Sequence, residues 1–158
     1  MTPKSPDTSA IRTAIFPGSF NPFTVGHASI VERALTLFDH IIICVGYNLS
    51  KEADAAGRAS ACADRINALY SDNPRVEAIA DAGLTADIAR RYDARCIIRG
   101  IRSVADFEYE RNMADINREI SGIETIFLPT LPGLACVSSS MVRELEHFGV
   151  DVSRYIPR

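Results

Sequence analysis

No apolar run in the sequence approaches the roughly 20 residues that a membrane helix needs, and the opening MTPKSPDTSA lacks the apolar core of a signal peptide. These absences exclude a helical membrane protein and lead to the expectation of a cytoplasmic location. The two prolines and small polar residues of Met1 to Ala10 predict a disordered tail over 1–10, ahead of one domain over 11–158. There is no excess of positive charge: 17 Lys and Arg stand against 20 Asp and Glu, giving −3. A broad polyanion-binding surface, and so a nucleic-acid partner, is not expected, although a small phosphate pocket remains open. Cysteine and histidine are few. Cys44, Cys62, Cys96 and Cys136 show no CxxC spacing and no nearby histidine pair, so buried, reduced thiols are expected in place of a disulfide or zinc site. His40 and His147 have no metal-type partner one helical turn on, and no metal held by the protein is expected. No internal repeat or linker interrupts the chain.

What is present suits a globular core. Hydrophobic residues make up 47% of the chain and charged residues 23%. The run HIIICVGY, His40 to Tyr47, is almost continuously apolar and β-branched, as in a strand buried on both faces of a parallel sheet. Shorter strands are predicted over 12–16, 75–80, 95–98 and 123–128. Helical spacing is predicted from Gly26 through Phe38 and over 58–70, 84–92, 104–120 and 138–148. A polar loop is expected over 48–57. Strands alternating with helices at this spacing mean βαβ units with parallel strands. The fold class is α/β, a doubly wound, Rossmann-like sheet of five parallel strands.

Two glycine-bearing segments follow predicted strands. In TAIFPGSFNPFTVGHASIVERALTLF, Pro17-Gly18 is read as ending the first strand, and Gly26-His27 as opening a helix. The first N–H groups of a helix have no intrahelical partner and carry partial positive charge, which makes an anion site with His27 in it. In RGIRSVADFEYE, Arg99-Gly100-Ile101-Arg102 is read as a loop after the fourth strand. Two planar guanidinium forks three residues apart suit separate phosphate groups. The plainer reading pairs both arginines with Asp106, Glu108 or Glu110 nearby. Ser138-Ser139-Ser140 opens the last helix, where serines also serve as caps. In open α/β sheets, ligands sit beyond the carboxyl ends of strands, where the strand order reverses.

These segments carry a family resemblance. GSFNPFTVGH is similar to the (T/H)xGH signature of the nucleotidylyltransferase superfamily, and Thr24 resembles its phosphopantetheine adenylyltransferase branch. RGIRSVADFEYE is similar, nearly letter for letter, to that branch's RG(L/I)R-x-x-x-DFEYE segment. VSSSMVR resembles its ISSS-x-(V/I)-(K/R) segment, and Asn48-Leu49-Ser50-Lys51 its N-P-S-K. The resemblance covers Thr13 to about Pro157 and implies strand order 3-2-1-4-5. It implies transfer of the adenylyl group of ATP to 4′-phosphopantetheine, with Mg²⁺ arriving on ATP, a homohexamer, and coenzyme A as feedback inhibitor. The roles it implies are catalysis by His27, Lys51 and Arg102. ATP would be held by Ser19, Phe20, His27, Gly100, Ile101, Arg102, Glu110, Leu134, Ala135, Cys136, Val137, Ser138, Ser139 and Ser140. Phosphopantetheine would be held by Ser19, Lys51, Thr85 and Arg99. The chain departs from the family pattern at Ser19 (usually Thr), Asn21 (often Asp), the longer segment after Lys51, the polar Thr85 and the absence of aromatics from Gly133 to Cys136. The alternatives are another nucleotidylyltransferase, such as one acting on nicotinamide mononucleotide, and a nucleotide-binding regulator without turnover. RGIRSVADFEYE speaks against the first, and retention of Ser19, His27, Lys51, Arg99 and Arg102 against the second.

Overall fold

The computed structural model describes residues 11–50 and 54–158. Five parallel strands are β1 (Thr13–Gly18), β2 (His40–Gly46), β3 (Val76–Asp81), β4 (Cys96–Ile101) and β5 (Glu124–Pro129), ordered β3-β2-β1-β4-β5. The helices are α1 (Val25–Ala34), α2 (Ala55–Leu69), α3 (Thr85–Arg91), α4 (Val104–Ser121) and α5 (Ser139–His147). The expected class and strand order are both found.

The period-two geometry of strands explains the double winding. Alternate residues Ala14, Phe16, Ile41, Ile43, Val45 and Ile98 pack under α1 and α2, against Ile30, Val31, Ala63 and Ile66. Their neighbours Ile15, Ile42, Cys44 and Ile97 face the other way, against Ile88 and Ala89 of α3. A strand buried on both faces has no polar side to show, hence the unbroken run at His40 to Tyr47. No helix among the described residues is long and apolar enough to cross a membrane.

Several boundaries differ from expectation, each for a physical reason. β1 does not stop at Pro17 but continues to Gly18, with Pro17 opposite Cys44 and Gly18 opposite Val45 on β2. On its other side β1 pairs with β4 only through Ala14 and Ile15. The Pro17 carbonyl faces β4, and a strand residue's N–H and carbonyl point the same way. The missing N–H therefore falls where β1 and β4 have already parted and breaks no ladder bond. β4 continues through Arg99, Gly100 and Ile101, which pair with Phe127, Leu128 and Pro129 of β5. The two arginines thus do not share a loop: Arg99 is a strand residue and Arg102 follows the strand. α1 starts upstream of Gly26, because Thr24 is its N-cap, and ends at Ala34 in place of Phe38. α2 opens at Ala55, shortening the expected loop. The predicted tail over 1–10 lies outside the described residues.

Candidate active site

The parting of β1 from β4 opens a cavity of about 240 Å³ at the carboxyl end of the sheet. Its walls include Ser19 and Phe20 after β1, Thr24, Gly26 and His27 at the start of α1, and Arg99, Gly100 and Arg102 of the β4 end. Asp106 and Glu110 come from α4, and Val137, Ser138, Ser139 and Ser140 from the start of α5. The N-termini of α1 and α5 therefore meet the two arginines around one space, an arrangement that favours an anion.

His27 is the third residue of α1 and closes a capping box with Thr24. The Thr24 backbone N–H donates to His27 Nδ1 at 2.9 Å, and Thr24 Oγ1 lies 3.1 Å from the same nitrogen. In return the His27 N–H donates to Thr24 Oγ1 at 3.4 Å. The ring is wedged among aromatics, stacked on Phe23 at 5.4 Å between centroids and edge-on to Phe20 at 5.0 Å. Burial, then the positive charges of Arg102 and Arg99, lower its pKa from 6.5 to about 4. At neutral pH His27 is an uncharged imidazole. Because a backbone N–H can only donate, Nδ1 is an acceptor and the ring proton sits on Nε2.

The arginines are held by α4. Arg99 makes a bidentate pair with Glu110, Nε to Oε2 at 2.7 Å and Nη2 to Oε1 at 2.6 Å, and its Nη1 donates to the Pro17 carbonyl. Arg102 donates to Asp106 Oδ2 from its backbone N–H at 3.2 Å and from Nε at 3.1 Å. The plainer pairing foreseen for both arginines is thus present, and both also line the cavity. Glu110, placed on the ATP side by resemblance, is here the partner of Arg99.

A second cavity, of about 250 Å³, backs onto the first and shares Pro17, Gly18, Arg99 and Glu110 with it. Thr85 of α3 and Tyr109, Met113 and Asn117 of α4 line it. The Arg99–Glu110 pair is therefore a partition between two spaces. Met113 and Asn117 were missed from the sequence, although they follow Glu110 at intervals that repeat one helix face. The family resemblance marks Thr24 only by its branch, although a Thr three residues before a side chain able to accept from the cap N–H is a capping-box signal.

The serine run supplies the cap that its position suggests, and Ser138, Ser139 and Ser140 all line the cavity. Ser138 caps α5, its Oγ accepting from the Met141 N–H at 3.1 Å. Ser139 Oγ donates to the Pro22 carbonyl at 2.7 Å, and Arg143 of the same helix donates to the Asn21 carbonyl. α5 thereby clamps the loop that carries Ser19 and Phe20. Leu134, Ala135 and Cys136 lie in and just after a 3₁₀ turn, Pro132–Leu134, and neither they nor Ile101 line the cavity. Lys51 lies outside the described residues; before it, Asn48 Oδ1 accepts from the Ser50 N–H at 2.9 Å and from its hydroxyl at 2.7 Å.

A parallel sheet that opens at its switch point onto an uncharged imidazole, two arginines and two helix N-termini defines the nucleotidyltransferase class of site. The cytidylyltransferase-like family matches residues 15–145. The chain is 51% identical over 147 residues to the phosphopantetheine adenylyltransferase of Bacteroides thetaiotaomicron, covering 93% of this chain and 96% of that one. It is 48% identical over 148 residues to that of Bacteroides fragilis, covering 94% and 97%. A solved bifunctional NMN adenylyltransferase/ADP ribose pyrophosphatase from Francisella tularensis, complexed with AMP and a manganese ion, shares the fold. Its TM-score is 0.67 at 15% identity, over 94% of this chain and 45% of that one. The chain belongs to the cytidylyltransferase-like family and, within it, to the phosphopantetheine adenylyltransferases.

Proposed function

We propose that this chain transfers the adenylyl group of ATP to 4′-phosphopantetheine, releasing pyrophosphate and forming dephospho-coenzyme A. The observation that carries the reading is the pair of adjoining cavities with Arg99 between them: one meets His27 and two helix N-termini, the other runs past Thr85 and Asn117. A phosphate on the acceptor arm and the α-phosphate of ATP can meet across that partition. A phosphate oxygen of the acceptor attacks the α-phosphorus as the bond to the β-phosphate oxygen breaks. That oxygen is ionised near neutral pH, so positioning and charge stabilisation suffice without a strong base or a covalent intermediate.

His27 Nε2–H donates to the oxygens of the transferring phosphate, beside Ser19 and the α1 N-terminus. Arg102, Ser140 and the N–H groups of Gly100 and the α5 start take the remaining phosphates of ATP. Arg99 moves part of its hydrogen bonding from Glu110 to the acceptor phosphate. The roles of Lys51, toward the phosphates of both substrates, and of Leu134 to Cys136, toward the adenine, are carried over from the family resemblance. Among the described residues no three His, Cys, Asp or Glu side chains converge on a metal cage, and Asp106 and Glu110 each hold an arginine. Mg²⁺ enters with ATP, as MgATP, in this reading.

Residues 11–158 act as one catalytic domain, assembled into a homohexamer. In support, α4 has no buried residue yet carries Phe107, Tyr109, Met113, Ile116 and Ile120 at its exposed surface, beside the edge strand β5. Coenzyme A, which keeps the acceptor arm and an adenylyl group, is the feedback inhibitor. All four cysteines are free, but only Cys44 and Cys62 are buried as expected, Cys96 being half-buried and Cys136 exposed; four free thiols suit a cytoplasmic, reducing setting. The test is pyrophosphate release from ATP with phosphopantetheine, nicotinamide mononucleotide or glycerol 3-phosphate as acceptor. Turnover is expected with phosphopantetheine alone; turnover only with nicotinamide mononucleotide, or none with any acceptor, overturns the reading.

A further inference from the structure

Two buried side-chain oxygens among the described residues have no hydrogen-bond partner, the hydroxyls of Tyr70 and Thr125. Tyr70 borders neither cavity of the site, whereas Thr125 lines the second, with Arg99 and Glu110. Thr125 lies on β5 opposite Ile97 of β4, and Ile123 and Phe127 hold the alternate positions to either side of it. All three neighbours are apolar, so valine would fill the place with the same shape and no unpaired oxygen. The covered hydroxyl forfeits its hydrogen bonds to water and receives none in return. Rotation about its χ1 bond moves the hydroxyl between staggered positions, and the residue already forms part of the cavity wall.

The same wall carries Thr85 and Asn117, whose side chains also make no hydrogen bond among the described residues. Arg99 stands opposite Phe127, two residues on from Thr125 and so about 7 Å along the strand. We propose that Thr125 is a specificity-determining residue of this cavity: its hydroxyl turns to a hydroxyl or amide of the acceptor arm, at that depth beyond a phosphate held by Arg99. The arm rests on the function proposed above, whereas the unpaired hydroxyl does not. An acceptor without the matching group leaves the site's own polar group unpaired, which is how such a wall rejects it.

The test is Thr125→Val, which keeps the shape and removes the hydroxyl, beside Thr125→Ser, which keeps the hydroxyl. Melting of the ligand-free full chain and calorimetric titration with phosphopantetheine and with ATP are read at one protein concentration. The Val variant should melt higher than wild type, yet bind phosphopantetheine about 3- to 10-fold more weakly, with ATP affinity within about twofold. The Ser variant should keep phosphopantetheine affinity within about threefold of wild type. Opposite signs for stability and acceptor affinity separate this role from packing, which would move both together. A Val variant that binds phosphopantetheine as wild type does, or loses ATP equally, overturns the proposal. So does a Ser variant as weak as Val, or a Val variant that melts lower, since the hydroxyl would then already have a partner. Wild type that binds no phosphopantetheine, beside a Val variant that melts higher, would instead sink the proposed acceptor, and the role of Thr125 with it.

Discussion

Acidification should strip stability from this protein through a single imidazole, and replacing His27 by glutamine isolates the effect. Unfolded, the His27 ring titrates near 6.5; folded, it titrates at about 4, because it is buried and lies near Arg102 and Arg99. Between those values the unfolded chain binds the extra proton and the folded chain does not. Stability from this residue is therefore complete above about pH 6.5 and is lost as pH falls toward 4. With about 1.4 kcal/mol for each pH unit separating the two states, the loss by pH 4 is about 3 kcal/mol. That is a large part of the 5–15 kcal/mol typical of a small domain. The capping box gives the loss a structural cause, since a proton on Nδ1 would oppose the Thr24 N–H. Glutamine suits the comparison, because Gln at this position can close a capping box and cannot take up a proton here. Asp39, held near 2 by Arg12, stays ionised across the window in both proteins. Urea unfolding of wild type and His27→Gln at pH 7, 6, 5 and 4, at one protein concentration, is the assay. The stability of wild type relative to the variant should be level from pH 7 to 6.5 and then fall by about 3 kcal/mol. Parallel profiles would refute both the buried, neutral ring and the acceptor role of Nδ1.

The arginines should separate by ligand in calorimetric titrations: Arg99→Ala should weaken phosphopantetheine more than ATP, and Arg102→Ala the reverse, each by about 10- to 150-fold. Both variants should also melt lower, because each breaks an observed ion pair, so equal losses for the two ligands would end the divided roles. Gly18→Ala should destabilise by about 1–3 kcal/mol, since its Cβ would come within 2.9 Å of the Phe20 ring that packs edge-on to His27. An unchanged melting temperature would show that Phe20 is not held as described.

By itself the sequence determined the parallel α/β class, the number of strands and the placing of His27 in a first helical turn. These features live in short windows. A strand covered on both faces must be apolar throughout, and a helix needs its period and its cap within a few residues. The order 3-2-1-4-5 came from family resemblance, because strand adjacency has no local signature. Boundaries failed where the deciding neighbour is distant. Pro17 reads as a strand end on its own chemistry, whereas the parting of β1 from β4 makes its missing N–H harmless. Gly100 reads as a loop residue in sequence, whereas pairing with Leu128 keeps it in β4. The site shows the same division. Arg99 and Glu110 are 11 residues apart, and their pairing was foreseeable. The hold of Arg99 on Pro17 spans 82 residues, and that of Ser139 on Pro22 spans 117. Only the packed sheet brings those groups within reach. Tertiary structure alone thus decided that Arg99 stands between two cavities and that the Ser139 hydroxyl clamps a loop, because hydrogen bonds depend on ångström distances that residue order does not carry.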